Sequence, residues 1–184
     1  MPTRVLFFSA AIGEGHDLPA RMIAGGVLEL EPDAQTEIVD SLAAMGKLVT
    51  AIAGDGSSVM FNRLDWLFDG LYLLFSRWRP TRELTAWLAD TLGHRGLGRV
   101  IERFRPDVIV STYPGATDVL GRMRRRGELT VPVVSAISDL AALRFWAHPG
   151  VDLHLVIHPE SGEEIQTIAP GARVVAVRGM SDPR

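Results

Sequence analysis

A chain of 184 residues, 47% of them hydrophobic, has the length and apolar content for one domain with a real core, which excludes a disordered chain. A formal net charge of −3 excludes the basic surface of a nucleic-acid-binding domain, so no nucleic-acid partner is expected. The absence of cysteine excludes disulfides, thiolate zinc sites and cysteine nucleophiles, and fits a reducing cytosol.

The opening MPTRVLFFSA lacks the basic start and long apolar core of a signal peptide and reads as a first strand, Arg4–Ser9. No segment approaches the roughly 18 uninterrupted apolar residues of a membrane span, so a soluble or peripheral protein is expected. After a glycine-containing loop, Asp17 is a candidate N-cap and Pro19 is tolerated in a first turn. Helical spacing of Met22, Ile23, Val27 and Leu30 predicts a helix over 18–30, broken by Glu31-Pro32-Asp33. A second strand is predicted over 35–39, ending at Asp40.

From Leu42 the pattern is helical for about sixty residues, punctuated by Gly54-Asp55-Gly56 and Arg79-Pro80. Then follow a strand at 108–111, a helix at 116–126, a strand at 131–137, an irregular loop, a strand at 153–157, a helix at 161–168 and a strand at 173–177. Alternating strands and helices predict an α/β, Rossmann-like, doubly wound parallel sheet, with residues 42–104 as a helical insertion after the second strand. The whole of 1–184 is read as one domain.

In such sheets ligands bind beyond the carboxyl ends of the strands. The stretch FFSAAIGEGHDLPAR places Gly13, Glu14, Gly15 and His16 there. A dinucleotide fingerprint needs a third glycine three residues after Gly15, where Leu18 stands, and no Gly-Lys-Ser/Thr follows to make a phosphate loop. Nucleotide binding is thus the weakest of three readings, and two others compete. His16 is a general base, because imidazole suits proton abstraction from a hydroxyl and the glycines admit substrate close to the backbone. Alternatively it is a turn residue, and the glycines only allow the turn. A helix N-terminus beside it also receives anionic groups.

The loop residues resemble the monogalactosyldiacylglycerol synthase and processive diacylglycerol glucosyltransferase family, within glycosyltransferase family 28. So do RPDVIVSTYPGATDVLGRMRRRGELTVPVVSAISD at 105–139 and FWAHPGVDLHLVIHPES at 145–161. The resemblance implies the amino-terminal, acceptor-side half of a GT-B enzyme. In that architecture His16 deprotonates a lipid hydroxyl, which attacks the anomeric carbon with inversion. The nucleotide sugar is a co-substrate held mainly by a carboxyl-terminal donor domain, and neither bound metal nor other cofactor is implied. The chain stops at VRGMSDPR, where family members begin their linker to that domain. The donor half is therefore expected to lie elsewhere, in the same enzyme or in a separate subunit, and the isolated chain is expected not to turn over. A further departure is Leu143, near where family members carry a histidine.

Asp139, also after a strand, is a candidate to orient the imidazole or contact the acceptor, or else a helix N-cap. In Thr112-Tyr113-Pro114-Gly115 the backbone and Tyr113, with Pro114 and Gly115, either line the acceptor cleft with Gly13, Glu14 and Gly15, or form a proline-glycine turn with an aromatic packed over it. Glu14 is otherwise a solvated carboxylate. His148, His154 and His158 lack a surrounding carboxylate cluster, so no metal site is expected. The arginines at 122, 124, 125 and 126 complement a helix end and stay solvated, or meet anionic lipid.

Within 60–105 there are eight Lys/Arg against five Asp/Glu, the one stretch with a basic excess. There Trp66, Phe68, Tyr72 and Trp78 alternate with basic residues that include Arg77 and Arg79. Such a mixture suits an anionic membrane surface, the alternative being a helical pair packed on the sheet. Together with the resemblance it implies a peripheral enzyme of glycolipid synthesis on the cytoplasmic face. A second expectation is a non-catalytic lipid- or partner-binding domain.

Overall fold

The structure, a computed structural model, describes residues 2–11, 14–46, 49–50, 79–139 and 143–178, with backbone alone at 14 and 79–89. Six parallel strands form one sheet in the order β2-β1-β3-β4-β5-β6. They are β1 Arg4–Ser9, β2 Gln35–Asp40, β3 Val108–Ser111, β4 Val133–Ile137, β5 Leu153–Val156 and β6 Val174–Ala176. The helices are α1 Glu14–Leu30, α2 Ser41–Met45, α3 Arg79–Phe104, α4 Pro114–Arg125, α5 Leu143–Trp146 and α6 Ser161–Ile168. This is the expected Rossmann-like α/β fold, of the kind that forms the amino-terminal half of a GT-B enzyme.

β1 explains the layering. Its side chains alternate between the two faces, and both faces are covered, so nearly every residue is apolar. Val5 and Phe7 pack with Val110 and Ala136 under Ala20 and Ala24 of α1. Leu6 and Phe8 point to the other face and meet Met45 of α2, Leu97, Ile101 and Phe104 of α3, and Val119, Leu120 and Met123 of α4. Small residues on α1 let that helix approach closely. The recurrence of Ala116, Val119, Leu120 and Met123 at helical spacing turns one face of α4 to the sheet. A third cluster joins Ile137 and Val156 to Leu143 and Trp146 of α5 and Ile165 of α6. Full burial of Phe7 and Phe8 contributes roughly 1.5–3 kcal/mol each.

The strand order matters most for function. From β1 the chain crosses one way to β2 and then returns past β1 to β3. The two connections diverge at the β1/β3 boundary, which is the switch point where open sheets bind ligands. Phe7 pairs with Val110 and Phe8 with Ser111, so the turns after β1 and β3 leave the sheet side by side.

Candidate functional site

His16 lies in the first turn of α1, half-buried, on the β1 side of that boundary. Its Nδ1 is 2.9 Å from the carbonyl oxygen of Thr112, in the turn after β3. A carbonyl only accepts, so Nδ1 carries the proton and Nε2 of the neutral ring keeps its lone pair. Thr112 is itself fixed, its N–H donating to the Phe8 carbonyl at 3.0 Å. Two aromatic rings complete the surroundings. Tyr113 meets His16 edge-on, with centroids 5.4 Å apart at 78°, and Trp146 lies at 5.7 Å and 45°.

The first turn of α1 has local causes. Asp17 accepts a hydrogen bond from the buried Ser9 hydroxyl, which ties the helix start to the end of β1. Asp17 therefore does not cap, and the helix begins at Glu14, four residues before the predicted start. Pro19 has no N–H to give the Gly15 carbonyl, leaving that oxygen outside the helical ladder. The Ser138 hydroxyl, after β4, approaches it at 3.5 Å. A Cβ placed on Gly15 would meet nothing within 4 Å, so the turn has open space beside it.

The turn after β3 is built on Ser111. Its hydroxyl donates to the Tyr113 carbonyl at 2.9 Å and accepts from the Thr117 hydroxyl at 2.9 Å. Pro114 starts α4, where its missing N–H costs nothing. The phenol of Tyr113 is raised above its ordinary range, by burial first and the Asp40 carboxylate second, which keeps it a hydrogen-bond donor. Asp40 N-caps α2, accepting from Leu42 N at 2.9 Å.

The sequence candidates are thus partly gathered. His16, Gly15, Tyr113, Pro114 and Gly115 share the switch point. Asp139 is exposed after β4, and among the described residues it makes no hydrogen bond to the imidazole; the Thr112 carbonyl holds the ring instead. Gly13, the Glu14 side chain, Trp66, Phe68, Tyr72, Arg77, Trp78 and the Arg79 side chain lie outside the described residues. Thr112 was read as part of a turn whose backbone lines the cleft, but its carbonyl's hold on the imidazole was missed because a backbone oxygen has no residue signature. Trp146 escaped because its segment, nine residues beyond the end of β4, reads as irregular loop. Leu143 is 2% exposed and serves the core.

Elsewhere, His154 is fully enclosed and lowered to about 4 by burial, opposed by the Arg173 backbone and assisted by His148. Its Nε2 accepts from the His148 N–H at 3.3 Å, and His148 Nδ1 accepts from Gly150 N at 3.0 Å. These rings pin a turn. Among the described residues no cluster of three or more His, Cys, Asp or Glu is placed to hold a metal ion. Three of the four arginines at the end of α4 are paired rather than merely solvated. Arg122 meets Asp118 at 2.8 Å, Arg124 meets Asp152 at 2.7 Å, and Arg126 bridges Asp90 and Glu128.

A parallel sheet with a tautomer-fixed histidine at its switch point defines a Rossmann-like domain with an imidazole at its ligand edge. The family described as monogalactosyldiacylglycerol (MGDG) synthase matches residues 27–177, and the chain belongs to that family. Two processive diacylglycerol beta-glucosyltransferases are similar to it. The one from Bacillus subtilis is 26% identical over 89 residues, which is 48% of this chain and 23% of the relative. The one from Bacillus licheniformis is 24% identical with the same coverage. The matched segment thus spans less than a quarter of either relative's length. The family match begins after the His16 turn, so the case for that turn is its geometry. Among the described residues, no helix is long and apolar enough to cross a membrane.

Proposed function

We propose that the chain is the acceptor-side half of an inverting glycosyltransferase that moves a sugar from a nucleotide sugar to diacylglycerol or a related lipid. Family membership and the names of the relatives support the substrate class. The observation that carries the mechanism is the Thr112 carbonyl on His16 Nδ1, which leaves the Nε2 lone pair unprotonated, in a turn where the neighbouring Gly15 has open space beside it.

In this reading the acceptor hydroxyl lies against Nε2. Its proton passes to the imidazole as the oxygen bonds to the anomeric carbon. The bond from that carbon to the nucleoside diphosphate breaks, and the diphosphate leaves with the electron pair. The resulting imidazolium keeps its Nδ1–H on Thr112, so the bond that positions the base also stabilises its product form. Asp139 is assigned to acceptor contact. A donor-binding half, in the same polypeptide or in a separate subunit, holds the nucleotide sugar. The aromatic and basic residues between 60 and 88 would seat the enzyme on anionic lipid at the cytoplasmic face.

The test is product analysis with the chain assembled with a donor half, using labelled nucleotide hexose and diacylglycerol vesicles. A glycosylated diglyceride of inverted anomeric configuration is expected. A retained configuration, or transfer to water alone, contradicts the reading.

A further inference from the structure

Nothing so far explains why the imidazole stays in the one orientation that meets Thr112. A 180° turn of the ring about its bond to Cβ would bring carbon to that carbonyl and move both nitrogens. One neutral hydrogen bond biases such a choice only about two- to tenfold. A base that is misdirected for a tenth or more of the time needs a second restraint.

The Tyr113 ring supplies one, and its seat is unusual. A Cβ at position 115 would lie 2.6 Å from Tyr113 Cε1, 3.2 Å from Cζ and 3.3 Å from the phenolic oxygen. The ring therefore occupies the space that any side chain at 115 would need. Gly115 is the second residue of α4 and has no positive φ, so its backbone would accept alanine. The requirement for glycine is room for the ring. From that seat the ring packs on the core cluster and meets the imidazole edge-on at 5.4 Å. Such edge contacts contribute a further two- to tenfold bias.

We infer that Tyr113 is a positioning residue for His16, seated by the missing side chain of Gly115. It holds the imidazole in the orientation in which Nδ1–H meets Thr112 and Nε2 faces outward. This rests on the proposed function for its catalytic meaning, but the geometry is testable without turnover. The restraint belongs to the ring edge, so phenylalanine should replace tyrosine and a flexible aliphatic should not.

The experiment is nitrogen-15 NMR of the imidazoles in the intact chain, with the His16 signals assigned among the five histidines by His16→Gln. The parent and Tyr113→Phe should show a single Nδ1–H tautomer at His16. Tyr113→Leu and Gly115→Ala should shift its nitrogens toward averaged values, with the Nε2–H form rising at least threefold. If Tyr113→Leu does not fold, Gly115→Ala alone decides. One unchanged tautomer in every folded variant overturns the inference, as does loss of the tautomer in Tyr113→Phe. A tautomer that depends on Tyr113 while His16 variants still transfer sugar would sink the proposed base and leave the positioning role standing.

Discussion

The Thr112 carbonyl and the His16 imidazole are 96 residues apart in the chain and 2.9 Å apart in the fold. The strand order brings them together. β1 and β3 are neighbours, and the connections after them are the two that diverge at the switch point. One bond across that boundary fixes which ring nitrogen is free.

Asp139 is exposed and, among the described residues, makes no hydrogen bond to the His16 ring, in keeping with its proposed role in acceptor contact. In the assembled enzyme Asp139→Asn is expected to raise KM for the lipid acceptor several-fold, with kcat within about threefold of the parent. Steady-state kinetics at varied diacylglycerol checks this. A collapse of kcat at unchanged KM would return Asp139 to the imidazole.

The buried histidine pair makes stability depend on pH. His154 is lowered to about 4 in the fold against an ordinary 6.5, and burial lowers His148 as well. The unfolded chain therefore binds more protons between these values. Stability is complete above about pH 6.5 and is lost as pH falls toward 4, by about 3 kcal/mol from His154 alone. Urea midpoints at pH 7 and pH 4.5 should show the fall, and His154→Gln, which keeps an acceptor for the His148 N–H, should flatten it. Equal midpoints for the parent at both pH values would contradict this.

Much of the fold was legible in the sequence, for physical reasons that particular elements show. β1 and β3 were predicted to the residue because strands buried on both faces are apolar runs stopped by turn residues. α6 was also predicted to the residue. The start of α1 was misplaced because Asp17 looks like a cap and instead accepts from Ser9, a contact between side chains on different elements. α4 starts at Pro114 rather than 116 because proline fits a first helical position. At the switch point, residue types singled out His16 and Tyr113 as candidates, and the fold places the two rings in contact. The bond that selects the tautomer comes from a backbone oxygen, which no pattern of side chains reveals.

Gly121 tests the packing around that histidine pair. A Cβ there would lie 2.1 Å from His148 Nδ1, the atom that accepts from Gly150 N. Gly121→Ala should therefore cost about 1–3 kcal/mol and expose the Gly150 amide to exchange. Calorimetry and amide exchange check both. An alanine variant as stable as the parent would show that this turn is loosely held.

The proposed membrane association is argued from the composition of residues 60–88. The chain should pellet with vesicles rich in anionic lipid, less so as salt is raised, and Trp66→Ala with Trp78→Ala should weaken binding about tenfold or more. Equal, salt-independent partition to neutral vesicles, or none to anionic ones, would favour the packing alternative.

The most direct measurement is turnover of His16→Ala in the assembled enzyme, with and without added imidazole. A loss of about 10²–10⁴ in kcat is expected, with part of it regained as free imidazole enters beside Thr112. A variant that transfers sugar within threefold of the parent rate would contradict the assignment of the base.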